Sequence, residues 1–158
     1  MNKTQAFAIL APVPEMHLIS GKETIAKLIE ESSEEIKVAF GSMDFEVFRK
    51  ADELREDKTL DVFIYASHSA DQSLKTFVTW RGLYTGCVNS RNGRYPGNKK
   101  FCPPSTLTDR PTWAVFWEIQ ELEPLEKPIA IASLKGLGKK TNFTSRFTPE
   151  APLLIEYL

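Results

Sequence analysis

Cysteine and histidine are scarce in this 158-residue chain, which has two of each: Cys87, Cys102, His17 and His68. Two cysteines cannot make a disulfide framework, and they read as reduced thiols. No two of these four soft ligands stand at zinc spacing, so neither a metal nor any other cofactor is expected. Long apolar runs are also missing. The opening run from Ala6 to Val13 is broken by Pro12 and followed by Pro14 and Glu15. It is too short for a membrane span and lacks the small-residue cleavage site of a signal peptide, so a cytoplasmic location is expected. Net charge is nearly absent as well, at -1.

That small sum hides an uneven distribution. Residues 1–60 hold 8 Lys/Arg against 12 Asp/Glu, residues 61–110 hold 7 against 3, and residues 111–158 hold 5 against 6. Between Gln72 and Arg110 the only acid is Asp109. A phosphate meets the local field rather than the total, so a basic middle keeps nucleic acid open as a partner. With 42% hydrophobic and 26% charged residues the composition is that of an ordinary globular chain, and its length suits one domain spanning 1–158.

Periodicity outlines the elements. Strands are expected over Ala6–Ala11, Ile36–Phe40, Asp61–Ala66, Thr112–Gln120 and Leu153–Tyr157. Leu74–Val88 is β-rich and broken at Arg81-Gly82 by a hairpin or a bulge. Helices are expected from Ser20 or Gly21 to Ser32, packing Ile25, Ala26, Leu28 and Ile29, and from Met43 to Leu54, packing Val47, Phe48, Ala51 and Leu54. Asn89–Asp109 is a long irregular segment with Gly93, Gly97, Pro96, Pro103 and Pro104, and Lys135–Thr148 is a basic loop. Strands outnumber helices and the helices come early. The fold class is α+β, a mixed sheet curled into a small β-barrel with flanking helices.

The aromatic and basic middle suits a pocket that stacks a flat ring and holds phosphate nearby. Tyr65, Trp80, Trp113 and Trp117 can supply walls, with Trp80 beside a turn the best placed; Trp113 and Trp117, alternating on a strand, read more readily as core packing than as a cage. Ser67, His68 and Thr79 can contact a base edge. Arg81, Arg91, Arg94, Lys99, Lys100, Lys139 and Lys140 can track phosphates, or simply solubilise the surface.

No enzyme signature is complete. Lys135-Gly136-Leu137-Gly138-Lys139-Lys140 departs from the phosphate-loop pattern, because Ser133 stands at the first glycine position. Ser67, His68 and Asp71 read as a polar turn rather than a triad, and a thiol nucleophile at Cys87 or Cys102 is the weaker reading beside a buried Cys87 and a loop Cys102.

Three stretches resemble the PUA-like superfamily, particularly its EVE and ASCH members: Leu60–Ser67, Phe77–Val88, and Trp113–Ile119 with Leu125–Ile129. Together they span residues 60–129, somewhat under half the chain. The resemblance implies a small PUA-like β-barrel with flanking helices that binds RNA or modified DNA, in some members by taking a base out of the stack. The Arg91–Pro104 stretch has no counterpart in that pattern. Two other classes of function stay open: a small hydrolase acting through His68 or a cysteine on a nucleotide-like or amide substrate, and a protein-interaction domain.

Overall fold

The computed structural model describes residues 3–68, 76–107 and 113–157. Leu74, Asp71, Asp109 and Thr112, which figured in the expected elements, lie outside the described residues. The fold is α+β, with elements in the order β1 (Lys3–Pro14), α1 (Glu15–Glu30), β2 (Val38–Ser42), α2 (Phe45–Arg55), β3 (Thr59–Ser67), β4 (Phe77–Asn89), β5 (Val115–Ala130) and β6 (Leu153–Glu156). They form one six-stranded mixed sheet of order β2-β5-β4-β3-β1-β6, parallel only between β1 and β3. The sheet stays open. β2 and β6 are its edges and do not pair with each other, so the expected closed barrel is not what forms.

Side chains alternate along a strand, and both faces of this sheet are covered. On β1, Phe7, Ile9, Ala11 and Val13 join the core beneath the helices, while Ala8 and Leu10 join a smaller core with Phe63, Val78 and Ile155 on the other face. That is why the opening run reads as continuously apolar. On the larger face Phe48 of α2 stacks on Trp117 and Tyr84, with ring centroids 5.6 and 5.8 Å away.

The break expected at Pro12 does not occur. β1 continues through Pro12 and ends on Pro14, the two paired with Tyr65 and Ser67 of β3. Pairing of β1 with β6 stops at Leu10, so no neighbour on that side requires the missing N–H groups. β5 likewise runs past Pro124 and Pro128, bulging along β4, with Glu121 at φ 53°. Register shifts in the same ladder flank Arg81 and resolve that position as a bulge in an unbroken β4.

Helix α1 starts directly after Pro14, five or six residues earlier than expected, and its buried residues are Leu18, Gly21, Thr24 and Leu28. Ile29, expected inside, is 62% exposed. The inward stripe uses a glycine and a threonine, which hydrophobicity alone does not flag. A Cβ on Gly21 would lie 2.9 Å from Leu122, so the glycine lets the helix approach the sheet closely. In α2, Phe48 and Ala51 are buried as expected, while Leu54 is exposed.

Candidate functional site

Where β2 and β4 end and β5 begins, the chain leaves the sheet and builds a cavity of about 600 Å³. Residues 90–107 make one wall. The segment opens with a tight two-residue turn, Asn92 at φ 55° and Gly93 at φ 81°, closed by paired backbone hydrogen bonds of 2.8 and 3.0 Å between Arg91 and Arg94. Asn-Gly is the residue pair such a turn favours. Two short 3-10 turns follow, Lys99–Phe101 and Pro104–Thr106, with Phe101, Cys102 and Pro103 buried between them. Hydrogen bonds to α1 tether the segment. His17 Nδ1 and Ser105 Oγ lie 2.7 Å apart, and the Ser105 N–H donates to Ser20 Oγ over 3.2 Å.

Aromatic rings face this cavity from several elements. Trp113, just before β5, is 38% exposed and lines it, as do Tyr95, Phe40, Phe116 and Trp117. Tyr95 is held on three sides. Its hydroxyl donates to the Glu118 carboxylate, its ring meets Phe116 edge-on at 5.4 Å, and a Cβ on Gly97 would lie 2.7 Å from its Cε2. Burial and the Glu118 carboxylate push the Tyr95 hydroxyl well above its ordinary pKa, so it stays a neutral donor. Glu118 also accepts an ion pair from Lys37 at 3.2 Å.

The charges around the cavity are unspent. Arg94, Lys99, Asp44 and Glu150 all line it, and none makes an ion pair among the described residues. Arg94, Lys99 and Glu150 are exposed and Asp44 is half-buried, so these charges sit at the solvated rim of an apolar-walled space, where a charged ligand can reach them. His17 lines the same space, its pKa lowered by burial. Among the described residues no group of three or more His, Cys, Asp or Glu side chains could hold a metal ion. No helix among them is long and apolar enough to cross a membrane.

Of the residues singled out from sequence, Arg94, Lys99, Trp113 and Trp117 are brought together here. Trp117 sits at the floor, only 2% exposed and packed on Phe40 at 5.3 Å. Arg91 and Lys100 belong to the same segment and are exposed without lining the cavity; Lys100 Nζ lies 5.2 Å from the Phe101 ring centroid.

The others sit elsewhere. Trp80 is 8% exposed, in mid-β4 opposite Ile64 and Pro124, and belongs to the core. Arg81 is engaged by Asp61 at 2.9 Å; Lys3 at 3.0 Å and the Tyr157 hydroxyl at 2.7 Å complete the shell around that buried carboxylate. Tyr65 packs against the smaller core, Thr79 is half-buried in β4, Ser67 pairs with Pro14 at the end of β3, and His68 is exposed beyond it at φ 54°.

Lys139 and Lys140 are exposed on a loop that runs along β6. There the Gly138 N–H donates to the Glu156 carboxylate at 3.3 Å, so the amide an anion would need already faces an acid. The thiols lie in the expected elements, Cys87 in β4 and Cys102 in the loop segment, but their burial differs from expectation: Cys87 is only half-buried and Cys102 is buried at the cavity wall. Burial pushes both thiols up to about 11, which keeps them protonated and poorly nucleophilic at neutral pH.

Of the cavity's further residues, Phe40, Gly41, Asp44, Tyr95 and Phe116 were not singled out from sequence, and His17 was weighed only as a metal ligand or a cysteine's partner. Tyr95 carried a signal, an aromatic between Arg94 and Pro96 after an Asn-Gly turn. The place of His17 on α1 carried none, because the prolines before it hid the start of the helix.

What fold and site define is an α+β protein with an aromatic, two-signed cavity at one end of an open mixed sheet. A scan against models of known protein families finds no match, and a search of curated proteins finds none either.

Proposed function

We propose that this chain is a nucleic-acid-binding module that receives a nucleobase of RNA or of base-modified DNA in the cavity beside Trp113. One observation carries the reading: a cavity of about 600 Å³, walled by Trp113, Tyr95 and Phe116, in which Arg94 and Lys99 have no acidic partner. The volume lies in the range that takes a nucleotide-sized ligand. Flat rings supply stacking, the cations supply phosphate contacts, and Asp44 or Ser42 can accept from or donate to a base edge. The resemblance to the PUA-like superfamily points the same way. The expected base contacts of Tyr65, Ser67, His68, Thr79 and Trp80 have no part in this reading, nor do Lys139 and Lys140.

Protein interaction is the second reading, and a specific feature favours it. Met43 and Leu107 line the cavity and are 58% and 55% exposed, and Met16, beside His17, is 63% exposed. An apolar rim of this kind also suits a protein partner.

Fluorescence anisotropy of short labelled single- and double-stranded RNA and DNA, unmodified and base-modified, tests the proposal. Titrated at two salt concentrations, the protein binds one class selectively and more weakly at high salt, and Trp113→Ala costs about tenfold in Kd, the order of one lost stacking contact. An absence of binding at low salt would sink the nucleic-acid reading and leave the apolar rim to be tested for a protein partner.

A further inference from the structure

Gly41 lies in β2 opposite Phe116 of β5. Its φ is outside the left-handed region, so the backbone there would accept alanine. Space forbids it. A Cβ built on Gly41 would sit 2.6 Å from Cδ2 of Trp113 and closer still to Cγ and Cδ1. Those atoms are the body of the indole rather than the tip of a flexible side chain. The neighbouring backbone is pinned, since the Ala114 N–H donates to the Ser42 carbonyl at 3.1 Å. Trp113 is therefore anchored beside β2 and laid upon residue 41, where it lines the cavity while keeping 38% exposure.

We infer that Gly41 is the positioning residue of the cavity's stacking wall: its missing side chain is the seat for Trp113, and any side chain there lifts the indole out of the plane in which it meets a ring. This rests on the nucleic-acid reading of the cavity and deepens it by naming what fixes the geometry of ring capture. Gly41 also lines the cavity, but it carries no side chain and its part in ring capture is to seat Trp113. A glycine kept for its seat rather than for its backbone angle leaves no mark in composition or periodicity.

Gly41→Ala, Trp113→Ala and the double variant, compared with wild type, test the inference. The expected result is that Gly41→Ala and Trp113→Ala each weaken oligonucleotide binding about tenfold, and that the double variant is no weaker than Trp113→Ala alone. Losses that multiply would overturn it, because a general structural role of Gly41 adds to the loss of Trp113. A second readout needs no ligand. Trp80 and Trp117 are buried, so the exposed tryptophan signal belongs to Trp113. In Gly41→Ala its emission moves to longer wavelength and acrylamide quenches it more readily, with the circular dichroism unchanged. Unchanged emission and quenching would overturn the seat whether or not nucleic acid binds. A wild type that binds no oligonucleotide, with emission shifted as expected, would remove the functional reading alone. Should Gly41→Ala fail to fold, recovery of the fold in the double variant supports the clash, and a double variant that is also unfolded overturns it.

Discussion

Two parts of this molecule pair a tryptophan with an arginine, and they are opposites. In the middle of β4, Trp80 and Arg81 stand side by side; Trp80 is 8% exposed and Arg81 is bonded to the buried Asp61 at 2.9 Å. At the end of the sheet, Trp113 is 38% exposed and Arg94 faces a cavity with no ion-pair partner among the described residues. Residue type is the same in both places. What differs is whether the ladder has neighbours on both sides. Inside it, packing and pairing consume a side chain; where it ends, rings and charges are left for something else.

The sharpest way to break this comparison is Trp80→Ala. Removing a large side chain from the core costs about 3–5 kcal/mol. Urea unfolding is expected to show that loss, and the molecules that stay folded should keep their oligonucleotide affinity. A stable Trp80→Ala variant that loses binding would reverse the two roles.

Much of the fold was legible in the sequence because burial imposes period. The strand cores around Ile9, Ile64 and Ile155 and the α2 face of Phe48 and Ala51 are where pattern reading places them. The prolines misled. Pro12 reads as a break, yet β1 runs through it to Pro14 beyond the reach of β6, and β5 runs through Pro124 and Pro128, with Pro124 among bulges. Sheet closure was not legible at all, since nothing in a strand's own sequence names its partner.

The candidate site was half legible. The basic segment announced itself through Arg94 and Lys99, but at the aromatic wall Gly41 meets Trp113 across 72 positions of chain, and His17 meets Ser105 across 88. Such pairs exist only in the folded chain.

Smaller effects sharpen the same contrast through charge. Arg94→Ala and Lys99→Ala are each expected to weaken binding to all sequences and to reduce the slope of log K against log salt by about 1. Arg81→Ala should leave that slope alone and instead lower stability by about 1 kcal/mol, because Lys3 and Tyr157 still hold the Asp61 carboxylate. A reduced salt slope in Arg81→Ala would mean that the arginine bonded to Asp61, whose side chain is 36% exposed, also reaches phosphate.

The smallest expected effect concerns how the cavity wall is tied down. Ion pairs hold the region around Asp61, whereas the 90–107 segment hangs on α1 partly through His17 and Ser105, 2.7 Å apart. Burial lowers the His17 pKa from its ordinary value, so the folded state favours the neutral ring. A group depressed in this way contributes stability above its unfolded value of about 6.5, and the contribution is lost as pH falls through the lower folded value. Thermal midpoints are therefore expected to hold steady from pH 8 to 7 and to decline below about 6.5, ahead of the carboxylates, which titrate nearer 4. His17→Gln cannot take up that proton and should flatten the decline between pH 6.5 and 5. A wild-type midpoint that does not move across this interval, or a His17→Gln variant that follows it unchanged, would show that the tether is indifferent to the imidazole's charge.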